Sequence, residues 1–68
     1  MSEWQSVYKD SLEYRVDIVK AILDDLGMAP VKINKTVSAH GFGNFEIFVA
    51  PDNVLRAIRV IKEEIKFE

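Results

Sequence analysis

Leu12, Val16, Val19, Ile22, Leu23 and Leu26 recur at steps of three and four, and the run stops at Gly27. That spacing lines one side of an α-helix with apolar side chains and makes a poor strand. Gly27 is placed to take the left-handed turn that ends a helix, which a residue without Cβ adopts at no steric cost. Ahead of the stripe, Asp10 or Ser11 can accept the free N–H groups of a first turn. Glu13 stands three residues after Asp10, as a capping box requires. A helix with one dry side needs a surface to cover it, so the flanking segments decide the architecture.

Those flanks read as strands. Trp4 to Lys9 is rich in aromatic and β-branched residues and stops at Asp10-Ser11. Val31 and Ile33 alternate with Lys32 and Asn34 in a second short strand. Lys35 to Asn44 carries turn formers, among them Ser38, Gly41, Gly43 and Asn44. Phe45 to Ala50 is the strongest strand signal, and Pro51 ends it because proline has no N–H for a ladder. Pro51-Asp52-Asn53 then suits a helix start. Val54, Ile58, Ile61 and Ile65 mark the dry side of a second helix, with Arg56, Arg59 and Glu63 on its wet side. Ile65 to Glu68 reads equally as the end of that helix or as a further short strand.

The predicted order over one domain, residues 1–68, is therefore β-α-β-β-α. It suits the α+β class and a ferredoxin-like split β-α-β two-layer sandwich, with both helices on one face of the sheet. The third strand is expected parallel to the first and paired with the second as a hairpin. An apolar fraction of 49% with 29% charged residues supports a globular chain, and the lack of cysteine excludes disulfides and thiolate metal sites. A reducing, cytoplasmic setting fits. The first twenty residues are too charged for a signal segment, and nothing approaches the ~20 apolar residues of a membrane span. A net charge of −2 argues against a broad grip on nucleic acid.

A two-layer sandwich leaves one side of its sheet open. Strand alternation turns Val31, Ile33, Phe45, Ile47, Val49 and Val7 toward the helices. It turns Trp4, Ser6, Tyr8, Lys32, Asn34, Glu46 and Phe48 outward. Three aromatics on a solvent face make it the candidate binding surface, with Trp4, Tyr8, Phe48 and Lys32 as its residues. The C-terminal tail with Ile65 and Phe67, a second copy of the chain, or a stacked ligand or base could each cover it. An unpaired first strand would be another route to self-association.

Other chemistry is thin. His40 is the single histidine, has no carboxylate beside it in its loop, and is best read as a loop residue; no metal site or cofactor is expected. Ser6, Ser11 and Ser38 lack a local base and acid, so no enzyme is expected. Asp24 and Asp25 oppose the dipole at the end of the first helix and suit solubility. Asp17 is the acid with the most mixed surroundings, beside Tyr14, Ile18 and Ala21. His40-Gly41-Phe42-Gly43 offers backbone donors for an anion, but no Gly-Lys-Ser/Thr follows it as in a P-loop, and a hairpin loop is the simpler account. The same segment echoes the RNA-binding octamer of RRM domains, yet Asn44 and Ile47 stand where stacking aromatics belong.

Val7-Tyr8, Asp17 to Lys20, Leu23 to Met28, Val31 to Asn34, Phe42-Gly43, Phe45 to Val49 and Pro51-Asp52 together resemble a small prokaryotic family. It is known as prokaryotic signal transducing proteins and is likened in fold to the P-II nitrogen-regulatory proteins. The resemblance spans residues 4–64 and rests mostly on packing and capping positions. It implies a ferredoxin-like fold and a signalling role without an established activity. The expected function is a non-enzymatic interaction or regulatory module. It acts through the open face and the 36–44 loop, His40, Gly41, Phe42 and Gly43 included, by self-association or with a protein partner. The alternative is a nucleic-acid or nucleotide-binding domain that stacks bases on the open-face aromatics.

Overall fold

The computed structural model describes residues 3–35 and 44–65. Along the chain run β1 (Gln5–Asp10), α1 (Glu13–Asp25), β2 (Val31–Asn34), β3 (Phe45–Val49), a 3₁₀ turn (Pro51–Asn53) and α2 (Val54–Glu64). The predicted order of elements is present. The strands form one three-stranded sheet in the order β1-β3-β2. Both neighbours of β3 pair with it antiparallel, so the expected parallel pairing of β1 and β3 is wrong. The reason is topological. The α1 crossover returns β2 parallel to β1, and the hairpin into β3 then runs against both.

Each element starts and stops for a local reason. The Asp10 carboxylate accepts the Leu12 N–H at 3.0 Å, two residues on, so it braces the entry to α1 without being its N-cap. At the far end, the Met28 N–H reaches the Leu23 carbonyl (3.1 Å) and the Gly27 N–H reaches that of Asp24 (2.9 Å). With Gly27 at φ 79°, this is a Schellman ending, and buried Met28 and Leu23 supply its apolar contact. The Arg56 guanidinium from α2 also donates to the Leu26 carbonyl at 3.3 Å, tying the start of α2 to the end of α1. Across the β2–β3 hairpin, the Lys35 N–H donates to the Asn44 carbonyl at 2.7 Å.

One core lies between the sheet and both helices. Val16, Val19 and Leu23 of α1, Met28, Ile47 and Val49 of β3, and Ala57 of α2 are fully enclosed. The α1 stripe seats Val16, Val19 and Leu23 as expected, while Leu12 and Leu26 at its ends stay about 40% exposed. On α2 three residues of the predicted stripe, Val54, Ile61 and Ile65, pack on the core, and Ile58 does not. Ala57 is the fully buried residue of α2, Val60 packs on the core as well, and Ile58 is 40% exposed. A small residue at the contact lets the helix sit close to the sheet, a choice that hydropathy alone does not mark.

Candidate functional site

Which side chains the open face carries is set by register. In β1 the pairing runs Ser6 to Phe48 and then Tyr8 to Ile47, so Val7 is an extra residue, a β-bulge. Past the bulge the alternation of β1 is reversed. Tyr8 now shares the side of buried Ile47, and both Val7 and Tyr8 pack against the core. In β2, Lys32 pairs with Ile47 while Val31 and Ile33 pair with Phe48 and Glu46. Directly opposed residues share a face. Val31 and Ile33 are therefore outward, and Lys32 and Asn34 lie on the helix side.

Two of the expected surface residues, Tyr8 and Lys32, thus belong to the other side of the sheet, where each makes a structural contact. The Tyr8 hydroxyl donates to Asp10 at 2.7 Å, and burial, reinforced by that carboxylate, pushes the phenol up to about 12. Asp10 is held below the usual carboxylate range, first by the Leu12 N–H and then by Tyr8, and Arg15 stands 3.7 Å away. The Lys32 ammonium donates to Asp17 (2.7 Å) and Glu13 (2.9 Å) of α1 and lies 5.8 Å from the centre of the Phe45 ring. Asp17 and then Glu13 raise the Lys32 pKa. Asp17 thus serves in a clamp of α1 onto β2.

The open face itself has two cross-strand rows. One is Ser6–Phe48–Val31 and the other is Lys9–Glu46–Ile33. Trp4, just before β1, is 47% exposed, and Val31 and Ile33 are 44% and 39% exposed. Lys35 crosses the rows, with its ammonium 2.9 Å from Glu46 and 5.5 Å from the Phe48 ring centre. That ammonium, with the Ser6 hydroxyl second, holds Glu46 below its usual range. The face is an apolar strip with a lysine rim. Phe48 lies in it by register, exposed Trp4 immediately precedes β1, and Val31 and Ile33, which alternation had turned inward, stand on this side.

His40, Gly41, Phe42 and Gly43 lie outside the described residues, as do Lys66 to Glu68 of the possible fourth strand. Among the described residues no three His, Asp or Glu side chains converge as metal ligands. No described helix is long and apolar enough to cross a membrane. Comparison with protein-family models, with curated proteins and with solved structures returns no match.

Proposed function

We propose that the chain is a small non-enzymatic regulatory module of the prokaryotic cytoplasm, ferredoxin-like in fold, that docks a protein partner on the open face of its sheet. The observation that carries this reading is the outward set of Trp4, Val31, Ile33 and Phe48 on the side away from the core. Covering a large apolar side chain contributes about 1.5–3 kcal/mol. These side chains are already about half covered, so each adds a part of that, and together they form an apolar centre for an interface rimmed by Lys9 and the Lys35–Glu46 pair. The β1-β3-β2 order supports the ferredoxin-like reading, since a split β-α-β unit places the third strand between the first two. The resemblance to prokaryotic signal transducing proteins points to the same kind of role.

The register weighs against the nucleic-acid alternative. Bases stack on flat rings, and Tyr8 is turned away while two aliphatic residues take their place in the strip. The test is affinity recovery from the cells that make the protein, wild type against the Val31→Glu/Ile33→Glu double variant. A specific protein held by the wild type and lost at least about tenfold by the double variant is expected, since charges in an apolar contact cost several kcal/mol. Equal recovery by both would overturn the reading. Trp4 fluorescence that responds to single-stranded RNA at low salt, and only in the wild type, would favour base stacking instead.

A further inference from the structure

The outer sides of the two helices carry matched apolar stripes of opposite charge. On α1, Tyr14 (58% exposed), Ile18 (44%) and exposed Ala21 follow one another at i, i+4 and i+7, flanked by Asp17, Asp24 and Asp25. On α2, Leu55 (84% exposed) and Ile58 (40%) are aligned with Arg59 and Lys62 at i, i+3, i+4 and i+7. A single exposed leucine is ordinary. Here it occupies the side of α2 opposite Ala57, in line with a second apolar residue and followed along the same side by two cations. Asp17 is held by Lys32, Asp24 by Lys20 and Arg59 by Glu63. Asp25 on α1 and Lys62 on α2 have no ion pair among the described residues.

The helices lie over the same side of the sheet, and they are antiparallel: α1 runs back against β1, α2 runs back against β3, and those strands oppose each other. Both stripes therefore face away from the sheet in one layer. A two-fold axis along the helices, midway between two such layers, brings α1 of each copy onto α2 of the other. A two-fold across the helices brings α1 onto α1, acid against acid. Only the first matches charge to charge. We propose that two copies of the chain form a closed two-fold dimer through their helical layers, with α1 of each seated on α2 of its partner. This dimer leaves both open sheet faces outward, and it does not depend on what those faces bind.

Sedimentation equilibrium over a range of salt tests it. Wild type is expected to stop at dimer and to dissociate more readily as salt rises. Arg59→Glu/Lys62→Glu and Asp24→Lys/Asp25→Lys each place like charges together, and each should raise the dissociation constant at least about tenfold. Mixing those two variants should restore dimers, now strictly mixed, and combining all four changes in one chain should restore them too. Circular dichroism checks that each variant is folded. The Val31→Glu/Ile33→Glu variant should dimerise as wild type does. A wild-type monomer at every concentration up to about 1 mM would overturn the proposal. So would association lost in Val31→Glu/Ile33→Glu but not in the helix variants, which would assign it to the sheet, or failure of the mixture to recover.

Discussion

Two residues just after α1 hold positive φ, Gly27 at 79° and Ala29 at 47°. At Gly27 a Cβ would meet nothing within 4 Å, so the residue is required by backbone conformation alone. Gly27→Ala should cost about 1 kcal/mol, and Ala29→Gly should gain a few tenths, because it relieves a left-handed alanine at some entropic cost. Urea unfolding of the two variants would check this, and equal effects of the same sign would contradict it. Tyr8 gives a second residue-scale expectation. Its folded pKa is raised from 10.0 to about 12, so its stabilising effect is complete below pH 10 and is lost as pH climbs toward 12. The phenolate absorbance that disappears in Tyr8→Phe should have its midpoint at about 12 in the folded protein. A midpoint near 10 would mean that Tyr8 is solvated. Gly27 was legible because one backbone conformation needs one residue type. Tyr8 was not, since nothing in Ser6-Val7-Tyr8-Lys9 marks a bulge, and one extra residue reverses every side chain beyond it.

The helices show the same contrast at the scale of the element. The α1 stripe was legible because its leucines and valines recur through three turns. On α2 the pattern of branched residues selected Ile58, whereas the residue at the contact is Ala57, whose value there is its small size. In β2 the alternation of Val31-Lys32-Ile33-Asn34 is as read, but its phase is set by β3. Lys32 turns inward, where Glu13 and Asp17 stand one turn apart on the helix above it. Three oppositely charged side chains in such an arrangement were the available signal; half-exposed ion pairs contribute at most about 1 kcal/mol each, so it is the pairing with β3 that fixes the phase. The end of α1 is less well balanced, with Asp24 and Asp25 in its last turns and no basic residue in the last turn. Asp25→Lys should stabilise the fold by about 0.3–1 kcal/mol by complementing the helix dipole, read as a rise in thermal midpoint that shrinks with salt. Since Asp24→Lys/Asp25→Lys is also expected to break the helical-layer dimer, monomer stability and association should move in opposite directions. Loss of both together would point to misfolding instead.

At the scale of the molecule, the seven core side chains of the described residues hold two helices against three strands, and they use one side of the sheet. The other side keeps an apolar strip for which the described residues provide no cover. In the arrangement proposed here, the helical layers join two copies and the sheets look outward, so one dimer presents two docking faces. The docking faces in that reading depend on the register of β1 and β2 against β3. Nuclear Overhauser contacts between backbone protons across the strands measure that register directly. In this register Lys32 and Tyr8 should show contacts with Ile47, and Val31 and Ser6 with Phe48. Contacts of Val31 or Val7 with Ile47 and of Lys32 with Phe48 would turn the aliphatic residues back under the helices and contradict it.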